Sequence, residues 1–243
     1  MICSLSSRSR FLVNVMGCKI GSSGLSPTIQ LNRRLNTTQL ASEFLLIGNS
    51  MDPELQRRYR QLFRFYDVQG DGSLSVEGDF QQVAEALAAR WQHRNTPFPD
   101  MLGLLLGTYA HESERRDLNH DGVVDELEFV DSHAPVVQAF LGMRPQAEAF
   151  IARAAGAFFD CLDLDCDGVL EVGDLEAYAA AYRKPTEGIR ANLARMLAAF
   201  ALPPDRLPRQ VFLTLVEQYW FDPSPDVPGR WLFTLDCPTD ASC

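Results

Sequence analysis

Oxygen-bearing side chains recur at fixed intervals between Asp117 and Phe129, which reads Asp-Leu-Asn-His-Asp-Gly-Val-Val-Asp-Glu-Leu-Glu-Phe. With Asp117 as position one, Asp117, Asn119, Asp121, Asp125 and Glu128 stand at positions one, three, five, nine and twelve. Val123 at position seven can offer its backbone carbonyl. Gly122 at position six suits a sharp turn in which a side chain would clash. Hard oxygen donors at this spacing are what a calcium ion takes. The pattern is that of an EF-hand loop, closed by a Glu long enough to give both carboxylate oxygens. Four carboxylates this close repel one another unless a cation lies between them. The competing reading, an acidic and solvated turn, does not account for six positions in register.

The pattern repeats. From Asp163 the ligand positions hold Asp163, Asp165, Asp167, Glu171 and Asp174, with the Val169 carbonyl and Gly168 at the turn. Apolar residues stand at position eight of both loops, and these two, Val124 and Leu170, are expected to lie on a short antiparallel strand contact between loops. A third copy begins at Asp67, and Asp67, Gln69, Asp71, Gly72, Ser73, Leu74 and Ser75 keep the register. It then slips: position twelve is Gly78, and the acid followed by Phe comes one residue late, as Asp79-Phe80. Asp79 can close this loop only through a bulge, so weak or absent metal binding is expected there.

Each loop needs a helix on either side. Asp52, Pro53 and Glu54 form a helix start, and Leu55, Tyr59, Leu62 and Phe63 then recur at helical spacing. Beyond the first loop, Phe80, Val83, Ala84, Leu87, Ala88 and Trp91 share one face. His93 to Pro99 reads as a linker and Met101 to Tyr109 as a buried entering helix. Phe129 to His133 is a short exiting helix, followed by a further apolar stretch, Val136 to Met143. The next entering helix starts at Pro145, with Phe150, Ile151, Ala154, Ala155, Phe158 and Phe159 as its inner stripe. Leu175, Tyr178 and Tyr182 continue beyond the loop. A fourth unit has both helices, marked by Ile189, Leu193, Met196, Leu197 and Phe200, then Val211, Phe212, Leu215, Tyr219 and Trp220. The segment between them, 201–207, is short and proline-rich. Asp205 alone cannot supply the six to eight oxygens that calcium takes. The expectation is an all-α, compact protein of four helix–loop–helix units in two pairs. Residues 51–143 hold loops 67–78 and 117–128; residues 144–233 hold loop 163–174 and the degenerate segment; a tail follows at 234–243.

The charge fits cation binding. The chain of 243 residues carries a net charge of −10. Residues 1–50 hold five basic residues and one acid, a balance of +4, so the remainder carries −14. An acidic body points away from nucleic acid, and no apolar run is long enough to span a bilayer. Three readings of the Ser- and Arg-rich residues 1–50 stay open: a targeting segment, a start assigned too early with Met51 as the first residue, or a disordered extension. The six cysteines form no C-x-x-C pair and are expected as reduced thiols in a cytoplasmic protein. Cys161 and Cys166, which flank the start of the 163–174 loop, read as a packing residue and a loop filler, with a redox-sensitive site as the alternative. His93, His111, His120 and His133 lack metalloenzyme spacing, and no nucleophile or phosphate-loop motif is present, so no catalytic residues are assigned.

Residues 52–233 resemble the calerythrin and sarcoplasmic calcium-binding protein family. The resemblance rests on the four units, on the spacing of the loops at Asp67, Asp117 and Asp163, and on the tail Tyr219 to Phe233, whose Asp222-Pro223-Ser224-Pro225-Asp226-Val227-Pro228-Gly229-Arg230-Trp231-Leu232-Phe233 is similar to the ending of calerythrin-like chains. It implies a compact calcium buffer that opens little on binding. The first loop's slip and the fourth loop's lost ligands depart from the family. Two good sites are expected, at 117–128 and 163–174, in a monomer. Asp174 is one methylene shorter than Glu and would ligate through one oxygen, which tolerates magnesium at that loop. A sensor acting on a protein partner is the alternative, although the methionines are too dispersed for a Met-rich groove. A luciferin-type small-ligand protein is a further one.

Overall fold

The computed structural model describes residues 51–94 and 98–234. The three readings of residues 1–50, and the tail past Thr234, lie outside the described residues, as does the side chain of Phe150. Helix α1 (Pro53–Tyr66) begins where Asp52 accepts a hydrogen bond from the Glu54 amide at 2.8 Å, with Pro53 in the first turn. An acceptor there satisfies an N–H that has no partner within the helix. Helix α1 buries Leu55, Tyr59, Leu62, Phe63 and Phe65. The first loop leads through β1 (Ser73–Leu74) and a π-helical turn (Val76–Phe80) into α2 (Gln81–Ala89).

Helix α3 spans Phe98–Arg116. It starts before the Pro99 at which the linker was expected to end. Proline is tolerated in a first turn because its missing N–H would be unpaired there anyway. Met101 and Leu105 are buried, while Gly103 and Gly107 face outward, so burial along this helix is narrower than its composition suggests. The second loop continues through β2 (Val124–Asp125) into α4 (Glu126–Asp131), which starts inside the loop's last three positions. Helix α5 (Ala134–Gly142) then crosses to the second half of the chain. There, α6 (Arg144–Leu162), β3 (Val169–Glu171) and α7 (Val172–Ala181) make the third unit. The fourth is α8 (Ile189–Ala198), β4 (Arg206–Pro208) and α9 (Arg209–Phe221), closed by a 3₁₀ turn at Pro228–Trp231.

The strands define the pairs. β1 and β2 are antiparallel, with Leu74 opposite Val124 and Ser73 opposite Asp125. β3 and β4 are antiparallel, with Leu170 opposite Leu207 and Glu171 opposite Arg206. Val124 and Leu170 therefore do not share the strand contact expected from their matching positions; each faces the loop next to its own, Leu74 for Val124 and Leu207 for Leu170. The degenerate segment keeps this contact without ligands, because a ladder needs backbone groups and an apolar side chain, which Leu207 supplies. The fold is all-α: four EF-hand units in two pairs around one apolar core to which both pairs contribute. Phe65 of α1 stacks on Tyr178 of α7 at 5.6 Å, and Phe140 of α5 on Phe221 of α9 at 4.0 Å. Among the described residues, no helix is long and apolar enough to cross a membrane.

Candidate metal centres

Three loops share one hydrogen-bond plan. The glycine at position six has positive φ in each: Gly72 (84°), Gly122 (93°) and Gly168 (83°). Its N–H donates to the position-one aspartate, reaching Asp67 Oδ2 at 3.1 Å, Asp117 Oδ2 at 3.0 Å and Asp163 Oδ2 at 3.0 Å. The position-seven N–H donates to the position-five aspartate: Ser73 to Asp71 at 2.9 Å, Val123 to Asp121 at 3.0 Å, Val169 to Asp167 at 2.8 Å. Position four is also left-handed, in Gly70, His120 and Cys166. That last feature was not legible from the sequence, since only one of the three is the residue type that adopts this backbone freely. His120 is exposed, as its place in the loop required.

In the second loop, Glu128 closes the ring. Its Oε1 accepts from the Asn119 amide at 2.9 Å and the Leu118 amide at 3.1 Å, and Oε2 accepts from the Asp125 amide at 3.2 Å. Asp125 Oδ1 accepts in return from the Glu128 amide at 2.7 Å. Positions nine and twelve thus cap α4 reciprocally, so helix start and candidate ligand ring are one construction. Asn119 Oδ1 accepts from the Asp121 amide at 2.8 Å, and Asp117 Oδ1 does so at 3.2 Å.

The first loop reaches the same arrangement with one residue more. Asp79 Oδ1 accepts from the Val68 amide at 2.9 Å and the Gln69 amide at 3.4 Å, and Oδ2 from the Ser75 amide at 2.9 Å. These are the amides at positions two, three and nine, the ones that Glu128 receives in its own loop. The π turn absorbs the extra residue: the Gln81 N–H donates to the Val76 carbonyl, five residues back. Ser75 Oγ still accepts from the Gly78 amide at 2.9 Å, as a normal cap would. A Cβ at position 78 would meet Ser75 Oγ at 2.6 Å and Gln69 Nε2 at 3.0 Å, so glycine is what lets the turn tighten. The slip does not remove the closing acid. Asp79 stands in its place, 1 % exposed, with its carboxyl held above the ordinary carboxylate range by burial and, secondarily, by the charge of Asp67.

The third loop concentrates the most charge. Carboxylate oxygens of Asp163, Asp165 and Asp167 lie within 4.8 Å of one another. Asp163 is 5 % exposed, and its Oδ1 is buried without a hydrogen-bond partner. Burial, with the adjacent Asp165 carboxylate, raises the Asp163 carboxyl above its ordinary value. An acceptor left unpaired among like charges is costly, and a cation held by these oxygens would relieve it. The donor set, all hard oxygen, fits calcium or magnesium. Asp174 Oδ2 accepts from the Glu171 amide at 3.1 Å. Two arginines also enter this loop. Arg206 of β4 donates to Asp167 at 2.9 Å and Glu171 at 3.2 Å, and Arg90, after α2, donates to Asp174 Oδ1 at 2.8 Å. The alignment of Leu207 with Leu170 could have placed Arg206 beside Glu171; nothing local in the sequence points to Arg90. Cys161 is a free thiol, and Cys166 lies within hydrogen-bonding reach of the Asp163 carbonyl at 3.8 Å. Cys161 is buried, which pushes its thiol up to about 12 and leaves it protonated and inert.

No protein-family model matches the chain, and no curated protein matches it. Solved structures do. A coelenterazine-binding protein from Renilla muelleri, in a calcium-loaded apo form, aligns with a TM-score of 0.55 at 17% identity, covering 74% of this chain and 94% of that one. The sarcoplasmic calcium-binding protein from amphioxus aligns with a TM-score of 0.51 at 15% identity, covering 76% and 99%. Calcium-loaded apo-aequorin from Aequorea victoria aligns with a TM-score of 0.52 at 14% identity, covering 72% and 94%. The likeness is one of fold: this chain shares the EF-hand architecture of these structures.

Proposed function

We propose that the protein binds calcium and acts as a calcium buffer. The observation that carries this is Asp163: a buried carboxylate oxygen without a partner, facing two further aspartates in a loop built to the EF-hand plan. Asp117, Asn119, Asp121, the Val123 carbonyl, Asp125 and Glu128 hold one ion. Asp163, Asp165, Asp167, the Val169 carbonyl, Glu171 and Asp174 hold a second, at a loop that also admits magnesium. Asp67, Gln69, Asp71, Ser73, Ser75 and Asp79 make a third and weaker site, because the ring contains three carboxylates and closes on a short acid. The fourth unit binds no metal and serves as strand partner to the third.

A buffer reading is supported by the closed packing of the exiting helices. Trp91 beyond α2, Phe129 in α4, Tyr178 and Tyr182 at α7, and Tyr219 in α9 are all buried, and the two pairs share one core. A sensor would have to expose such surface on binding. The Renilla neighbour's name raises a small-ligand role. However, among the described residues one cavity, between Phe65, Tyr178, Met196 and Trp231, has a volume of about 40 Å³, room for a few waters and below the roughly 300–1,000 Å³ that ligand pockets offer.

The test is calorimetric titration of the full chain with calcium, with and without millimolar magnesium, alongside binding of a hydrophobic dye. Two stronger events and one weaker, with no rise in dye fluorescence, are the expected result. A large calcium-dependent rise in dye fluorescence would replace the buffer with a sensor. No heat of calcium binding at all would overturn the proposal.

A further inference from the structure

We propose that Arg90 is a metal-selectivity determinant of the third loop, acting by withholding one oxygen of the closing carboxylate from the ion. The inference rests on the reading of 163–174 as a divalent-metal site. Asp174 stands at position twelve, where calcium ordinarily takes both oxygens of a longer acid. Here Oδ1 accepts a hydrogen bond from Arg90 Nη2 at 2.8 Å, and both side chains are only 19% exposed. A charge-assisted contact so shielded from water keeps its strength.

Arg90 has little freedom to follow if the ion draws Asp174 inward. The next residue, Trp91, is 1% exposed, and its indole N–H donates to the Cys161 carbonyl at 2.9 Å. Consecutive residues of the first EF-hand unit thus grip both flanks of the third: Trp91 holds the end of the entering helix α6, and Arg90 holds the first turn of the exiting helix α7. The other terminal nitrogen of Arg90, Nη1, is buried without a partner, so the contact with Asp174 is not shared with a second acceptor at that nitrogen.

The chemical consequence is coordination number. The short side chain of Asp174 already favours ligation through one oxygen, and Arg90 enforces it: with Oδ1 retained, Asp174 gives the ion Oδ2 and cannot bring its second oxygen in. One oxygen fewer suits magnesium, which demands six ligands in near-octahedral array, and penalises calcium, which accepts seven or eight. Arg206 provides the internal control. It also places a positive charge on this loop, at Asp167 and Glu171, but it is 49% exposed and touches neither oxygen of Asp174. Removing Arg206 should change the field for both ions alike, and only modestly because solvent screens it.

The experiment is calcium and magnesium titration of the full-length Arg90→Gln and Arg206→Gln chains, with Asp163→Ala to identify the heat that belongs to this loop. Arg90→Gln should tighten calcium at the third loop by about tenfold, the worth of one charge-assisted hydrogen bond, and magnesium by less than about threefold. Arg206→Gln should leave the calcium-to-magnesium ratio within about twofold of the wild type, as expected for an exposed pair. An unchanged ratio in Arg90→Gln, with binding at the loop intact, overturns the role of Arg90 alone. If Asp163→Ala leaves the wild-type isotherm unaltered, the loop binds no metal and both readings fall together. A structure of the calcium-loaded wild-type chain needs no variant to fold. Asp174 bridging Arg90 and the ion supports the proposal; both its oxygens on calcium refute it.

Discussion

At the scale of single residues, function and folding draw on the same atoms. Glu128 closes a candidate metal ring and also accepts three backbone amides. Glu128→Gln should weaken calcium at 117–128 by about a hundredfold, on the order of 3 kcal/mol, while leaving the other two events in the isotherm in place. Asp79→Asn should abolish the weakest event alone; survival of all three events would mean that the first loop is not a site. His133 offers a test that involves no metal. It is buried, stacked between Tyr59 at 4.5 Å and Trp220 at 5.0 Å, with Nδ1 donating to the Phe129 carbonyl. Burial, and then the charges of Arg116 and Arg115, hold its imidazole well below 6.5. A histidine whose folded value is depressed binds its proton better when unfolded. Its contribution is therefore present above the unfolded value and is lost as pH falls below about 6.5. Buried loop acids such as Asp79 and Asp163, raised in the folded chain, work in the opposite direction. The comparison that isolates the histidine is urea denaturation of His133→Phe against wild type at pH 5 and 7. The variant should lose less stability between pH 7 and 5.

At the scale of elements, the π turn at Val76–Phe80 is the device by which a thirteen-residue loop behaves as a twelve-residue one. Deleting Gly78 brings Asp79 to position twelve by count. The turn should revert to ordinary helix and calcium binding at this loop should persist or strengthen, as titration would show. Abolished binding would mean that the π geometry is itself required. The closing 3₁₀ turn depends on close approach. A Cβ on Gly229 would meet the Leu215 carbonyl oxygen at 2.4 Å and the Tyr219 nitrogen at 3.0 Å, both backbone atoms of α9 that cannot swing aside. Gly229→Ala should cost about 1–3 kcal/mol in urea denaturation, as overpacking does. This turn seats Trp231 between the guanidinium groups of Arg195 and Arg230, 5.0 and 4.9 Å from the ring.

At the scale of the whole molecule, the two pairs are fastened by side chains that end on distant backbone. Arg58 of α1 is fully buried. It donates to the carbonyls of Gln218 at 2.9 Å, Asp222 at 2.7 Å and Ser224, which satisfies the carboxyl end of α9, and it pairs with Glu54 at 3.0 Å. Tyr219 returns the contact, its hydroxyl donating to the Arg58 carbonyl at 2.8 Å. Lys184, past α7, donates to the carbonyls of Arg64 and Asp67 at the end of α1. Arg58→Met should cost about 3–5 kcal/mol, because buried carbonyls and Glu54 lose their partner. The wild type should unfold in one transition by tryptophan fluorescence and circular dichroism alike. The variant should separate the two signals as the pairs uncouple.

The sequence by itself determined what is local. The two regular loops, the cap that starts α1, and the apolar stripes of the helices each depend on residues within a turn or two of one another, and spacing reports them directly; the start of α4 at Glu126, three residues before the expected Phe129, was set by the Asp125–Glu128 cap within the loop. The fourth unit's missing ligands are equally a local fact. Tertiary structure decided the rest. Whether the late acid of the first loop could still close its ring depended on a backbone that could take up one residue as a π turn, and spacing alone could not rank that against simple loss of the site. Val124 and Leu170 looked alike in sequence, yet each strand contact was settled by which loop packs beside it. Arg90 meets Asp174 across 84 positions, and Arg58 reaches α9 and its end across 160 to 166. Such partners are chosen by the packing of the helices that carry them, and no periodicity in the chain encodes that distance.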